Sequence, residues 1–389
     1  MTEHTHNSSA AAWSQQLEEL LVRESGHHKI KGGVRTLYEA GGKGQLLSMA
    51  ETLLSPTTKV VAILVGSANC TIMWPPTDTD GPGGAFAITR TLQRLGRQVV
   101  LVTGKSRFAN ELNHEQVFEA LKKANLSMDE CADLTAATLK DIPIETAAYV
   151  KFACQRNWTE AEDVRLQNVY DAADFILNLG RPGPGEEGET RAHDRANMTA
   201  FDSAFKFFFT RPERFALRPD HVATTAVIGE LGNELGMGGL ISCVKENVEY
   251  GEDIGCSVQA DFTLVATTAN WGAWGLSAML TLLSIASGEK ISADSLLPDV
   301  VSQKLILKTL VEEGARCGLT WTRDEIIDRF ESEENWKFLN ELRQLTFSLL
   351  ESSQGQKSLP SSEKISTPAS SNLVDMTMSQ NIRNTRADS

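Results

Sequence analysis

A loop between a predicted strand and a predicted helix collects groups that could do acid–base chemistry or bind an ion. It reads Thr77-Asp78-Thr79-Asp80-Gly81-Pro82-Gly83-Gly84-Ala85. Glycine N–H groups and the helix amino terminus could hold an anion, while Asp78 or Asp80 could act as a base or a metal ligand. The alternative is local, because Thr79 or Asp80 could simply cap the helix, with Pro82 near its start.

A second loop, Gly229 to Gly239, is rich in glycine and carries Gly232-Asn233-Glu234-Leu235-Gly236 at its centre. Glycine at this density indicates a backbone that turns tightly or approaches another group closely. Asn233 and Glu234 would then be polar groups on a rigid frame, suited to hydrogen-bonding a substrate amine or carboxylate. The alternative is a glycine-rich turn with solvated glutamates.

A third loop, Thr267 to Gly275, contains Asn270 between threonines and two tryptophans. Asn270 could present its amide to a ligand beside an indole, or the loop could be a packed turn. The segment Gly183 to Gly188 formally matches GxGxxG, but its proline and two glutamates disfavour a dinucleotide phosphate there. No Walker A, HExxH or GxSxG motif occurs in the chain.

The three candidate loops each follow a short run of β-branched residues that predicts a buried strand. Five such runs are present: 60–66, 98–104, 174–180, 221–229 and 261–268. Apolar residues at helical spacing predict helices over 13–23, 44–54, 85–95, 115–126, 160–173, 300–313 and 324–350. Alternating strands and helices predict a doubly wound α/β fold with a mainly parallel sheet, in which ligands bind beyond the carboxyl ends of the strands.

Composition divides the chain into three parts. Residues 1–16 are predicted to be a disordered arm, 17–351 an α/β domain of one lobe or of two (17–155 and 156–351), and the Ser-rich residues 352–389 a disordered tail. Residues 262–288 are uncharged over more than the roughly 20 positions of a membrane span. Asn270, Gly272 and Gly275 interrupt this run, so a strand, a turn and a buried helix fit it better.

Charge and cysteine content exclude several classes of protein. The 389 residues carry 37 Lys and Arg against 51 Asp and Glu, a net charge of −14, which argues against nucleic-acid and anionic-membrane partners. The six cysteines form no CxxC pair, which disfavours zinc and disulfide frameworks. Residues 1–16 show no signal or transit pattern, so we expect a cytoplasmic location. The sequence gives no prediction of the oligomeric state.

Four segments together resemble the D-glutamate cyclase family: Thr79 to Ala85, Leu95 to Thr103, Gly232 to Gly238, and Asn270-Trp271-Gly272. Their order and spacing are similar to those of the family across 17–350. The resemblance implies an intracellular α/β protein with a small-molecule amino acid substrate, and a hydro-lyase activity that dehydrates D-glutamate to 5-oxo-D-proline.

The resemblance, combined with the chemistry of ring closure, suggests roles for particular residues. Asp80 or Glu234 would deprotonate the substrate ammonium, and Asn233, also expected in the catalytic site, would orient the substrate. The groups expected to bind or orient the substrate are Gly81, Gly83, Gly84, Arg181 and Asn270. No cofactor is certain, although a divalent ion on Asp78, Asp80 or Glu234 could polarise the reacting carboxylate.

The chain departs from the family pattern at several positions. Gly180 replaces a glutamate before Arg181, Cys317 replaces an aspartate before Gly318, and residues 189–198 lack the expected tyrosine. These departures keep an alternative open. The chain could be a diverged member that acts on another amino or carboxylic acid, or a non-catalytic protein of the same fold that binds a small molecule.

Overall fold

The computed structural model of the chain describes residues 2–23, 29–66, 78–104, 149–152, 158–210, 222–312 and 315–357. Its centre is one sheet of six strands: β1 Val60–Leu64, β2 Gln98–Gly104, β3 Tyr149–Phe152, β4 Phe175–Leu179, β5 Thr224–Gly229 and β6 Phe262–Val265. All neighbouring strands run parallel. The predicted α/β class with a parallel sheet is therefore confirmed.

The strand order is β3-β2-β1-β4-β5-β6, so the chain first builds outward on one side of β1 and then on the other. The order reverses between β1 and β4, and open parallel sheets bind ligands in the crevice outside the carboxyl ends at such a point. The two predicted lobes contribute three strands each to this sheet.

Helices cover both faces of the sheet. The longer helices are α1 Thr2–Leu21, α3 Gln45–Leu54, α4 Pro82–Arg94, α5 Glu160–Ala172, α9 Ala269–Ala286, α11 Val300–Glu312 and α12 Ser332–Lys357. The shorter helices are α2 Val34–Leu37, α6 Lys206–Thr210, α7 Ile241–Asn247, α8 Gly251–Ile254 and α10 Ala293–Leu296. A π-helical turn spans Tyr38–Gly42, and a 3₁₀ turn spans Gly238–Leu240.

Two hydrophobic clusters sandwich the sheet, and successive residues of strands β1, β2, β4, β5 and β6 alternate between them. Val61 and Ile63 of β1 join the cluster that contains α1, α3, α4, α9, α11 and α12. Ala62 and Leu64 join the cluster that contains α2, α5, α6 and α7. This alternation is the period of two that a strand buried on both faces requires.

The uncharged run 262–288 forms β6 and the buried helix α9, as its interrupted pattern predicts. Within the described residues, no helix combines the length and hydropathy needed to cross a bilayer. The described cysteines, Cys243, Cys256 and Cys317, are free thiols.

Two boundaries differ from the sequence-based expectation. Residues 2–16, within the predicted disordered arm 1–16, belong to helix α1, which begins at Thr2 and buries Ala10 and Trp13 in the core. Helix α12 continues to Lys357, six residues beyond the predicted end of the domain at 351. The helix predicted over 115–126 and residues 358–389 lie outside the described residues.

The helix predicted over 324–350 is also wrong at its start. Residues 326–331 form an antiparallel hairpin, in which β7 Ile326–Ile327 pairs with β8 Phe330–Glu331. Asp328 and Arg329 form its two-residue turn, with φ of 47° and 71°. The physical reason is burial, because Ile327 and Phe330 both enter the core across this short ribbon.

Candidate functional site

The carboxylate of Asp80 sits at the amino terminus of α9. Its Oδ2 accepts a hydrogen bond from the backbone N–H of Ala269 at 2.8 Å, and its Oδ1 accepts one from Asn270 at 2.9 Å. Thr268 caps the same terminus through its hydroxyl, which accepts from the N–H of Trp271. Asp80 is thus fixed by unpaired helix donors and by the positive end of the helix dipole.

Two further carboxylates, Glu230 and Asp328, meet Asp80 at this point. Glu230 follows β5, and Asp328 lies at the tip of the β7–β8 hairpin. One carboxylate oxygen from each of the three residues lies within 4.8 Å of the others. We call these three residues the carboxylate cluster.

The carboxylate cluster contains polar atoms that the protein leaves unsatisfied. Oε2 of Glu230 and Oδ2 of Asp328 are buried and have no hydrogen-bond partner, and Asp328 is only 3% exposed. Such atoms are uncommon in folded proteins and call for a specific explanation. The free space beside them is about 40 Å³, which is room for an ion with a water molecule.

Burial without compensating cations perturbs all three acids. Burial raises the pKa of Asp80 above its usual range, although the N–H groups of Asn270 and Ala269 oppose the shift. The pKa of Glu230 is raised well above normal by burial and by the nearby Asp80 and Glu234. The pKa of Asp328 is raised well above normal by burial and by Glu230. The cluster therefore favours a bound cation or a shared proton.

The pocket around the carboxylate cluster has no lysine or arginine among the described residues that line it. Its lining residues are Asp78, Asp80, Gly180, Pro182, Ala192, His193, Glu230, Leu231, Asn233, Glu234, Ala269, Gly318, Leu319 and Asp328. Asp78 is buried, and its Oδ1 accepts hydrogen bonds from the N–H groups of Asp80 and Gly318. The local charge is therefore strongly negative.

Glu234 faces the same pocket, but its carboxylate is used by its own loop. Oε1 accepts from the N–H groups of Glu230 at 2.9 Å and Leu231 at 3.1 Å, and Oε2 accepts from Gly232 at 2.8 Å. The side chain is 3% exposed. These three hydrogen bonds fix the backbone of the loop around the Glu234 carboxylate and so hold Glu230 at the pocket.

Asn270 holds the loop before α4. Its Oδ1 accepts from the N–H of Gly81 at 3.1 Å and of Gly84 at 2.6 Å, and so caps α4 from another element. A Cβ at Gly84 would lie 2.8 Å from that of Ala273, and one at Gly83 would lie 3.1 Å from Oε1 of Gln303. These glycines permit close packing of α4 on α9 and α11, outside the pocket lining.

Arg181 also points away from the pocket. Its guanidinium donates to the carbonyls of Val65 and Gly66 and, at 2.8 Å, to Oδ1 of Asp202. It also lies 4.7 Å above the ring of Phe205. Burial lowers the pKa of Arg181 while Asp202 opposes the shift, so the pair is an internal link between β1 and the 189–205 segment.

The structure brings together only part of the predicted site. Asp78, Asp80, Asn233 and Glu234 line one pocket, with Asn233 Nδ2 donating to the carbonyl of Arg191 at 3.2 Å. The predicted binding groups Gly81, Gly83, Gly84, Arg181 and Asn270 lie behind this surface and support it.

Sequence reasoning missed Glu230 and Asp328. Glu230 was obscured by Glu234 in the same glycine-rich loop. Asp328 lies in Ile326-Ile327-Asp328-Arg329-Phe330. A polar pair between apolar residues can indicate a hairpin, but the segment was interpreted as part of a helix over 324–350.

Comparison with known proteins identifies the family of the chain. The family described as D-glutamate cyclase-like, C-terminal, matches residues 17–343. A curated relative, the mitochondrial D-glutamate cyclase of Homo sapiens, is 25% identical over 262 residues, which are 63% of this chain. The match spans only 39% of the length of that human protein. Because the family match covers most of this chain, the chain belongs to the D-glutamate cyclase-like, C-terminal family.

Proposed function

We propose that this protein binds a divalent cation at the carboxylate cluster and uses it to dehydrate D-glutamate to 5-oxo-D-proline. The observation that carries the proposal is the convergence of Asp80, Glu230 and Asp328 at the topological switch point, with two buried oxygens that have no partner. Family membership supplies the substrate class.

The residues of the cluster fit a hard cation. Carboxylate oxygens suit Mg²⁺ and Mn²⁺, and Mg²⁺ in particular is held by one or two carboxylates together with substrate groups and water. Asp80 and Asp328 would hold the ion, because the first is fixed by α9 and the second has an oxygen with no partner. When bound, the ion would supply Lewis-acid polarisation of the reacting carboxylate.

Glu230 is the group that we assign to accept the ammonium proton. Its side chain lines the pocket and its Oε2 accepts no hydrogen bond, so this oxygen is available to take the proton. In the reaction the amine nitrogen forms a C–N bond with the side-chain carboxyl carbon and a C–O bond of that carboxyl breaks. The oxygen leaves as water with two protons that come from the ammonium, one of them returned by Glu230. Both reacting groups belong to one molecule, so the site chiefly needs to fold the substrate and remove the proton.

The supporting residues then have positioning roles. Asn270 and the Gly81–Gly84 turn fix Asp80, and the three N–H bonds to Glu234 fix Glu230. A second candidate function is the turnover of another amino or carboxylic acid, and the absence of arginine and lysine from the described pocket lining favours testing it.

The direct test is to incubate the chelator-treated protein with D-glutamate and to add Mg²⁺ or Mn²⁺ back. We expect 5-oxo-D-proline, detected by chiral mass spectrometry, only in the samples with added cation. Glu230→Gln should lower kcat strongly while weakening cation binding less than Asp328→Asn does. Product without any cation would overturn the role of the ion, and no product from any sample would overturn the substrate.

A further inference from the structure

A buried amide, Asn335, joins helix α9, whose amino terminus binds Asp80, to the hairpin that carries Asp328. It lies in the first turn of α12 and has no exposed surface. Its Nδ2 donates to the carbonyl of Phe330 at 2.9 Å and to that of Glu331 at 3.1 Å, both in strand β8. Its Oδ1 accepts from the indole Nε1 of Trp271 at 2.8 Å. All three hydrogen bonds therefore join Asn335 to residues outside α12.

Trp271 is fixed independently of Asn335. Its ring stacks on that of Phe338 at 3.8 Å with an interplanar angle of 6°, and lies 5.1 Å from the ring of Phe330. It stands in the first turn of α9, directly after the two residues whose N–H groups bind Asp80. Asn335 therefore connects the element that holds Asp80 to the hairpin that carries Asp328.

The hairpin needs such a connection. Each of its strands has only two residues, and an isolated ribbon of that length is not stable in water. Its turn places Asp328 and Arg329 in the left-handed region, where hairpins favour Asn-Gly and where other L-residues are strained. Asp80 and Glu230 also make it costly to hold an ionised Asp328 beside them, so the hairpin must be fixed by contacts elsewhere.

We propose that Asn335 is a positioning residue that presets the distance between Asp80 and Asp328 for a divalent cation. The proposal rests on the cation site of the proposed function. Asn335 touches neither the ion nor a substrate, and it acts by holding β8 against α9. Partners of this kind in metal sites usually change affinity by about 10- to 100-fold when they are replaced.

The test measures Mn²⁺ affinity of the full chain after chelator treatment, by competition with a metal-sensitive dye, with Tm recorded in the same samples. Asn335→Leu removes all three hydrogen bonds at similar volume, and we expect affinity to fall about 10-fold or more. Trp271→Phe removes only the indole donor and should give a smaller loss. The double variant should lose less affinity than the sum of the two single losses, because the residues share one hydrogen bond.

Thr346→Val is the matched control. Thr346 is fully buried in the same helix, and its hydroxyl donates to the carbonyl of Leu342 at 2.7 Å, away from the hairpin. It should lower Tm without changing Mn²⁺ affinity. Trp271→Phe keeps the test decisive if Asn335→Leu does not fold.

The outcomes separate the two proposals. If the wild-type chain binds no Mn²⁺, the cation site fails and the role of Asn335 fails with it. If the wild type binds Mn²⁺ and the folded Asn335 and Trp271 variants bind it equally well, the cation site stands and Asn335 is only structural.

Discussion

Two buried acidic regions of this protein are built in opposite ways. Glu18 of α1 is 2% exposed, and its carboxylate accepts from the N–H groups of Gly44 and Leu46, the Tyr38 hydroxyl and the Ser14 hydroxyl. Asp328 is similarly buried, at 3% exposed, but it faces two other carboxylates and has an oxygen with no partner. Burial alone therefore does not identify a functional acid.

The two regions differ in the source of the groups that balance the buried carboxylate. Around Glu18, donors from its own helix, from the π-helical turn and from the start of α3 satisfy the charge, so the acid ties these elements together. Around Asp328, the described residues supply mainly negative charge, which a bound cation or a shared proton would balance. Glu234 belongs with Glu18 by this criterion, because three backbone N–H groups surround it.

The largest expected contrast comes from Asp328→Asn. Removing this charge should weaken Mn²⁺ binding at least 100-fold, about 2.7 kcal/mol, because one of the two assigned ligands is lost. The free energy of unfolding of the metal-free protein should stay the same or rise, since a buried repulsion is relieved. Calorimetric titration and urea denaturation measure the two quantities. A large loss of metal-free stability with unchanged affinity would make Asp328 structural.

The opposite result is expected for Glu18→Gln. It should lower the free energy of unfolding by about 2 kcal/mol, because an amide cannot accept from all of its present donors. Mn²⁺ affinity should not change, since Glu18 lies outside the pocket lining. Glu19→Gln is the control, because Glu19 is more exposed and only pairs with Arg35 at 2.9 Å. Equal effects of the two variants on urea unfolding would remove the contrast.

The pH dependence of stability should also separate the two regions. The pKa values of Asp80, Glu230 and Asp328 are raised by burial, so the folded state holds their protons at a pH where the unfolded chain, with carboxyl pKa values of about 4, has lost them. Their contribution to stability is complete below the unfolded-state pKa of about 4. It is lost as the pH rises from there through the pKa values of the folded state.

Metal-free wild type should therefore lose more Tm between pH 5 and pH 8 than metal-free Asp328→Asn does. Saturating Mn²⁺ should reduce the loss in the wild type, because the ion replaces the protons. A parallel pH profile for the two proteins, measured by scanning calorimetry, would contradict the assignment of raised pKa values to the cluster.

The smallest expected effect is that of Arg329→Gly. Arg329 has a φ of 71°, which glycine adopts without steric cost, and the exchange loses the contact of its guanidinium with the Phe330 ring at 5.5 Å. We expect a net gain of about 0.5 kcal/mol in the free energy of unfolding and unchanged Mn²⁺ affinity. A loss of affinity in this variant would give Arg329 a role in the site itself.

Much of the fold could be predicted from sequence because buried parallel strands have a strong local signal. The prediction for Gln98–Gly104 coincides with β2, and that for 174–180 differs from β4 by one residue at each end. β3 was missed, since Tyr149–Phe152 contains a lysine among four residues and lacks a continuous apolar run.

The site was harder to predict because its chemistry depends on contacts between distant residues. Asp80 could be singled out as a candidate, because it lies between a predicted strand and a glycine-rich helix start. Glu230 and Glu234 could not be distinguished, since their roles depend on which carboxylate the loop backbone surrounds. Asp328 was missed because Ile326, Ile327 and Phe330 also fit a helical spacing, and only the tertiary fold turns them into a hairpin.

The most direct test of the central claim is anomalous diffraction from crystals grown from chelator-treated protein and soaked in Mn²⁺. We predict a single strong anomalous peak in contact with carboxylate oxygens of Asp80 and Asp328, beside Glu230, and no such peak at Glu18 or Glu234. An empty cluster at a Mn²⁺ concentration that supports turnover, or a peak at Glu234 instead, would contradict the account.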